Sequence, residues 1–211
     1  LTRLEALSKM ILRGEMMQKI PEKLIERQYI SIDEFHNAGY SNYKIRRLVD
    51  EGVISCVNRR WYENIMYSGE INDFYAVGAI AEHGVVCLMS AAVYYDMSTE
   101  RPSGIDVALP RSARVPASPD WPAMRFYRMG DMRYSTGIEE VREGENTFFI
   151  YDREKTVCDI ILYRNKLGFE PAMEVLKMYV NSEGRDISRL LKYAESLHVK
   201  STINPYLKVL L

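Results

Sequence analysis

Residues 30–65 read ISIDEFHNAGYSNYKIRRLVDEGVISCVNRRWYENI, and this run decides the fold of the first part of the chain. Ser31 has the side-chain oxygen an N-cap needs, and Glu34 follows three residues later, the spacing of a capping box. Phe35 and Ala38 continue at helical spacing. Gly39 predicts the helix end, because the residue after a C-cap adopts a left-handed conformation that glycine tolerates. Ser41 offers a second N-cap. Ile45, Leu48 and Val49 then fall at i, i+3 and i+4, which turns Tyr43, Arg46, Arg47 and Asp50 outward, with Asn42 and Lys44 flanking. Glu51-Gly52 predicts the stop. Val53–Val57 and Trp61–Met66 are β-rich runs joined at Asn58-Arg59-Arg60, the pattern of a hairpin. Upstream, Met16–Gln28 predicts a first helix that starts late or kinks at Pro21.

Helix, short helix, glycine turn, basic helix and hairpin is the order of a winged helix-turn-helix. An exposed helix face carrying Lys44, Arg46 and Arg47 fits a major groove, which admits an α-helix. Arg59 and Arg60 at the hairpin tip then reach neighbouring phosphates. The DNA-contacting set read from the sequence is Ser41, Asn42, Tyr43, Lys44, Arg46, Arg47, Arg59 and Arg60. The plainer alternative is a helical hairpin whose arginines are solvated surface, and Asp50-Glu51 weakens the positive field.

Charge is distributed in blocks. The whole chain carries 28 basic and 29 acidic residues, so it is no polycation. Residues 1–62 are net +3, 63–100 net −6, 101–134 net +3 with arginine as the only cation, and 135–211 net −1. Such blocks suggest partners met segment by segment. Arg111 and Arg114 fall in a proline-bearing loop, where they are candidates for contact with phosphate or an acidic partner.

Composition excludes several classes. At 211 residues, 47% hydrophobic and 27% charged, the chain reads as one or two globular domains, and 12 Gly with 8 Pro exclude collagen-like sequence. Cys56, Cys87 and Cys158 are far apart and odd in number, which argues against a disulfide framework or zinc ribbon and suits a reducing cytoplasm. No signal-peptide pattern opens the chain at Leu1. The longest apolar stretch, Tyr75–Tyr95, is interrupted by Glu82-His83-Gly84, where a charge costs about 2.5–3.5 kcal/mol at the centre of a membrane span. It is therefore expected to form buried helix, turn and helix, and the protein to be soluble and cytoplasmic.

Gly69 and the acidic block predict a second domain, giving an expected division of 1–68 and 69–211. Helices are expected over Ile71–Ala81 and Val85–Tyr95, and strands over Ile105–Leu109 and Met124–Met129. A hairpin of Ile138–Arg142 with Thr147–Tyr151 is expected next. Helices follow over Arg153–Lys166, Pro171–Asn181, Ile187–Leu197 and Pro205–Leu211. This order is α+β without a βαβ repeat.

No constellation in this part calls for catalysis. Asp152, Glu154, Lys155 and Asp159 form its densest charged cluster, and a metal-dependent nuclease needs two carboxylates and a lysine converging on a divalent ion. Adjacent Glu154 and Lys155 diverge on either a helix or a strand. Asp152 reads better as an N-cap, with Glu154 in the first turn facing the helix dipole. Ser90 lacks a GxSxG elbow, Cys158 falls on an apolar helix face, and no glycine-rich phosphate loop occurs. No catalytic residue, metal or cofactor is assigned.

The run Val86-Cys87-Leu88-Met89-Ser90-Ala91-Ala92, then Pro102, then Ile105-Asp106-Val107-Ala108-Leu109-Pro110-Arg111, resembles the second domain of AbiEi-type antitoxins. So do Asp152-Arg153-Glu154-Lys155-Thr156-Val157-Cys158-Asp159, Tyr163-Arg164-Asn165-Lys166-Leu167-Gly168 and the closing Asn204-Pro205-Tyr206-Leu207. With the winged helix in front, the resemblance covers roughly residues 25–211 in the family's domain order. It implies a cytoplasmic, non-catalytic antitoxin of a type IV, abortive-infection toxin–antitoxin operon. Such a protein represses its own operon by binding operator DNA, with inverted repeats expected, and its second domain counters a cognate nucleotidyltransferase toxin. One motif departs from the family: its wing usually has Arg-Gly before an aliphatic residue and Tyr, and here the residues are Arg59-Arg60-Trp61-Tyr62. The other classes left open are a protein-interaction module without DNA binding and a metal-dependent nuclease.

Overall fold

Ser31 caps the first α-helix of the described residues through the full reciprocal box. Its Oγ accepts from the Glu34 N–H at 3.2 Å, and Glu34 Oε2 accepts from the Ser31 N–H at 2.8 Å. That helix, α1 (Ile32–Asn37), follows strand β1 (Tyr29–Ser31) directly. The computed structural model describes residues 20–100, 102–117 and 121–211. They form a mixed α+β protein with two sheets, one of three strands and one of five.

Two compact units divide the chain. The first holds residues 20–80 together with Arg142–Thr147, and the second the described residues of Ala81–Val141 and Phe148–Leu211. The division falls later than the expected 68/69 because polar side chains bind the later residues back. Asn58 Nδ2 donates to the Ala79 carbonyl at 2.9 Å, and the Asn72 N–H donates to Gln28 Oε1 at 3.1 Å. Residues Arg142–Thr147 belong with the first unit for the same reason. Asn146 Oδ1 accepts from the Gln28 N–H at 2.8 Å, and its Nδ2 donates to the Glu26 carbonyl at 2.9 Å.

In the first unit, α1 is followed by α2 (Asn42–Asp50) and the strands β2 (Ile54–Cys56) and β3 (Trp61–Asn64). The antiparallel sheet order is β1-β3-β2, with Ile30 opposite Tyr62 and Cys56 also opposite Tyr62. Ile20, Leu24, Ile30, Phe35, Ile45, Leu48, Val53 and Ile54 make its core. Helix α3 (Tyr75–Ile80) completes the unit. The upstream helix expected over Met16–Gln28 begins outside the described residues. From residue 20 onward only a 3-10 turn, Glu22–Leu24, is present. The Gln28 N–H, which a helix through Gln28 would give to the Leu24 carbonyl, is donated to Asn146 Oδ1 instead, and Asn64 and Asn146 hold the carbonyls of Ile25, Glu26 and Arg27 in this arrangement.

The apolar run Tyr75–Tyr95 also departs from expectation. Between α3 and helix α4 (Leu88–Tyr94) lies a two-residue strand, β4 (Val85–Val86). Val85–Met89 is apolar at every position, so no polar position there tells a strand from a helix. In the second unit β4 pairs antiparallel with β5 (Ile105–Pro110), and β5 pairs parallel with β6 (Met124–Met129). A short helix not foreseen, α5 (Asp131–Ser135), precedes β7 (Ile138–Glu143) and β8 (Asn146–Tyr151), giving the order β6-β5-β4-β8-β7.

Helices α6 (Arg153–Leu167), α7 (Phe169–Asn181), α8 (Ile187–Ser196) and α9 (Lys200–Leu210) close the second unit. The last starts well before Pro205, which lies inside it. Asp152 caps α6 as expected, accepting from the Lys155 N–H at 2.7 Å. Eight consecutive residues, Glu154–Ile161, are buried, so α6 has no solvated face over two turns. Cys158 is core, as expected. No helix of the described residues is long and apolar enough to cross a membrane.

Candidate nucleic-acid interface

The turn between α1 and α2 is built by two neighbouring motifs. The N–H groups of Gly39 and Tyr40 donate to the carbonyls of His36 (2.9 Å) and Phe35 (2.9 Å), a Schellman closure with Gly39 at φ +82°. The rings of Phe35 and Tyr40 lie 6.0 Å apart across it. Ser41 then caps α2, its Oγ accepting from the Lys44 N–H at 3.4 Å, and Asn42 Oδ1 sits 2.8 Å from His36 Nε2. The same closure ends α2: the Gly52 and Val53 N–H groups donate to the Val49 and Leu48 carbonyls, with Gly52 at φ +74°. Both glycines were legible in the sequence, and both act as expected.

Burial on α2 follows the predicted wheel. Ile45 and Leu48 are buried, Val49 is half-buried, and Ser41, Asn42, Tyr43, Lys44, Arg46, Arg47 and Asp50 are all exposed. Tyr43 is 71% exposed, which for an aromatic ring leaves a large apolar face uncovered. The hairpin tip places Arg59 and Arg60 in solvent as well.

The cations are not equivalent. Arg47 Nη2 lies 2.8 Å from Glu51 Oε1, and Arg60 Nη2 lies 3.4 Å from Asp33 Oδ2. Lys44 Nζ sits 5.4 Å from the centroid of the Tyr40 ring. Arg46 and Arg59 pair with no carboxylate among the described residues. Spacing could not separate these classes, because the pairing depends on rotamers and on the fold bringing Asp33 to the tip.

The tip itself is held by a residue that sequence reasoning passed over. Asn58 Oδ1 accepts from the N–H groups of Arg60 at 2.9 Å and Trp61 at 3.0 Å, an Asx turn. Neither Arg59 nor Arg60 has positive φ, so this turn has no position that demands glycine. Asn58 thus answers the question raised by the missing Arg-Gly pair, and an Asn heading a tight turn was the available signal. Beyond the tip, the Ile32 N–H donates to the Arg60 carbonyl at 2.7 Å and fixes that end of β3 to the start of α1.

Elsewhere, Arg111 and Arg114 lie exposed in the irregular segment after β5, with no ion pair among the described residues. The charged cluster of α6 diverges as expected, but inward. Glu154 accepts from the Tyr179 hydroxyl at 2.9 Å, while Lys155 pairs with Asp159 and stacks 4.0 Å from the Tyr151 ring centroid. Among the described residues no three His, Cys, Asp or Glu side chains are grouped so as to hold a metal ion. No protein-family model matches this sequence, and no curated protein matches it.

Proposed function

We infer that the first unit is a winged helix-turn-helix that binds duplex operator DNA, and that the chain is an autorepressing antitoxin of the AbiEi kind. One observation carries the DNA-binding part: α2 presents Tyr43, Lys44, Arg46 and Arg47 on one exposed face, and a tight turn beside the same unit's sheet presents Arg59 and Arg60. The helix is nine residues long, enough for about two and a half turns in a groove that admits one helix. The strand order β1-β3-β2 supports the wing reading, since the hairpin packs beside α1 through β1. The antitoxin part rests on the resemblance of the second unit's sequence.

The test is a salt titration of binding to the DNA upstream of the chain's own gene. Log affinity should fall linearly with log salt, with a slope of about −0.9 for each phosphate neutralised. A flat salt dependence, or equal affinity for scrambled duplex, would favour a protein-interaction module instead. For the antitoxin part, full-length chain carrying Arg46→Ala and Arg59→Ala should still protect cells from a co-expressed nucleotidyltransferase toxin while failing to repress a promoter reporter. Loss of protection together with repression would move neutralisation onto transcriptional control.

A further inference from the structure

The second unit carries an open groove of about 340 Å³ where β6 runs into α5, lined by Arg128, Asp131, Met132, Arg133 and Tyr163 among others. That volume lies within the range of small-molecule sites and suits a ligand of mononucleotide size. Arg128 is exposed and makes no ion pair or hydrogen bond with any described residue. Arg133 is half-buried; it donates to the Leu197 carbonyl at 3.4 Å and hydrogen-bonds the Tyr163 side chain, which leaves part of its fork for a ligand. Met132 is 61% exposed, an adaptable apolar side chain at the rim, and Tyr163 supplies an aromatic wall. Asp131 is exposed at the same rim. One turn before Tyr163 on α6, buried Asp159 pairs with Lys155 and also attracts Arg133, so the exposed charges of the groove are Arg128 and Asp131, with Arg133 partly committed inward.

We propose that this groove binds a ribonucleoside monophosphate. Each part of that ligand has a counterpart of matching chemistry. Arg128 and Arg133 are donors for a phosphate, and a guanidinium fork can engage two phosphate oxygens at once. Asp131 is an acceptor for the two hydroxyls of a ribose, a pair that a carboxylate can take together. Met132 and Tyr163 offer apolar and aromatic surface to a base, which every base accepts through its π-face. A simple anion would engage the arginines alone, so a preference for nucleotide over phosphate reads the contribution of the other three. The site lies wholly in the second unit and uses none of the residues assigned to DNA, so it stands apart from the operator reading.

Gly130 provides a test that does not depend on charge. Its φ of −68° suits any residue, and a Cβ built there meets nothing within 4 Å, so Gly130→Leu should fill the groove without straining the backbone. Calorimetric titration of the full chain with adenosine and uridine 5′-monophosphates is the measurement, with adenosine, inorganic phosphate and the dideoxy nucleotide alongside. We expect saturable binding of both monophosphates, about tenfold or more tighter than adenosine or phosphate alone. Arg128→Ala and Gly130→Leu should each lose about tenfold or more, at an unchanged unfolding temperature. Asp131→Asn should erase the preference for ribose over dideoxyribose, and Arg46→Ala should leave binding intact. The proposal is overturned if neither monophosphate saturates at about millimolar concentration, the range where weak binding ends. It is overturned equally if phosphate binds as tightly as the nucleotides, if Arg128→Ala and Gly130→Leu bind like wild type, or if Arg46→Ala abolishes binding.

Discussion

Arg47 Nη2 lies 2.8 Å from Glu51 Oε1 across one turn of α2, while its neighbour Arg46 meets no carboxylate among the described residues. An exposed i,i+4 pair is itself worth little, about 0–1 kcal/mol, but it must open before Arg47 can reach a base or phosphate. Arg46 starts free. Arg46→Ala should therefore weaken operator binding by about 1–3 kcal/mol, and Arg47→Ala by less. Glu51→Gln should tighten binding severalfold by releasing Arg47 and removing a negative charge. Anisotropy titrations of the three variants decide the order; a larger loss for Arg47→Ala than for Arg46→Ala reverses the assignment.

The hairpin tip divides in the same way. Arg59 meets no carboxylate among the described residues, so Arg59→Ala should weaken all duplex sequences alike and reduce the magnitude of the salt slope by about one unit. Asn58→Ala should act differently, because Asn58 holds the turn through two backbone N–H groups and grips the Ala79 carbonyl. Its loss should lower the stability of the first unit by about 1–3 kcal/mol, read by urea denaturation. An Asn58→Ala protein as stable as wild type would mean the turn is held by its strands alone.

Much of the first unit was legible because its signals are local. Ser31 with Glu34, Ser41, Gly39 and Gly52 are chemical punctuation, and each stands where the sequence put it. The Tyr75–Tyr95 run was not legible in this way. Its helix–strand–helix division depends on Val85 and Val86 finding Ala108 and Val107 as partners, a tertiary event. The same holds for Gln28, Asn64 and Asn146, polar residues buried in a hydrogen-bonded cluster that no local pattern announces. The arginines of the candidate interface were readable as a face. Their division into paired and free was not, since Asp33 reaches Arg60 only through the fold.

Gly39 and Gly52 have positive φ and nothing within 4 Å of a built Cβ, so substitution there costs backbone strain and no steric clash. Gly52→Ala should destabilise by about 1–2 kcal/mol, the ordinary cost of a left-handed residue with a Cβ. Gly52→Asn should cost less, because asparagine visits that region more readily. Denaturant midpoints of the two proteins make the comparison, and equal losses would point to an unforeseen contact at Gly52.

Lys155 and Asp159 are both fully buried, and the pair sits against the Tyr151 ring. Removing one partner strands the other charge in the interior. Asp159→Leu should therefore cost about 3–5 kcal/mol, whereas Lys155→Met combined with Asp159→Leu should recover much of that loss. One Asp159 oxygen has no hydrogen-bond partner among the described residues, which makes the pair an imperfect one and strengthens this expectation. A double variant less stable than Asp159→Leu alone would show that the ion pair is a net contributor to the fold.

Asp152 gives the fold a pH dependence with a definite sign. Burial raises its carboxyl to about 6, against the lowering effects of the Lys155 N–H and the Tyr193 hydroxyl, while nearby Glu154 and Glu139 push the same way as burial. The folded state then holds a proton that the unfolded chain has already released. Between the ordinary Asp value near 4 and about 6, stability must fall as pH rises. The contribution is fully present below the unfolded value and is lost by neutral pH, and a shift of this size corresponds to at most about 3 kcal/mol. Asp152→Asn keeps an N-cap acceptor and removes the ionisation. The variant should match or exceed wild-type stability at about pH 7.5, and its advantage should shrink or reverse at about pH 4.5. Urea denaturation of both proteins across that range cancels the buried carboxyls remote from Asp152, while Glu154 and Glu139, which feel its charge, belong to the difference. An Asp152→Asn protein whose stability difference from wild type is the same at both pH values would place the proton elsewhere.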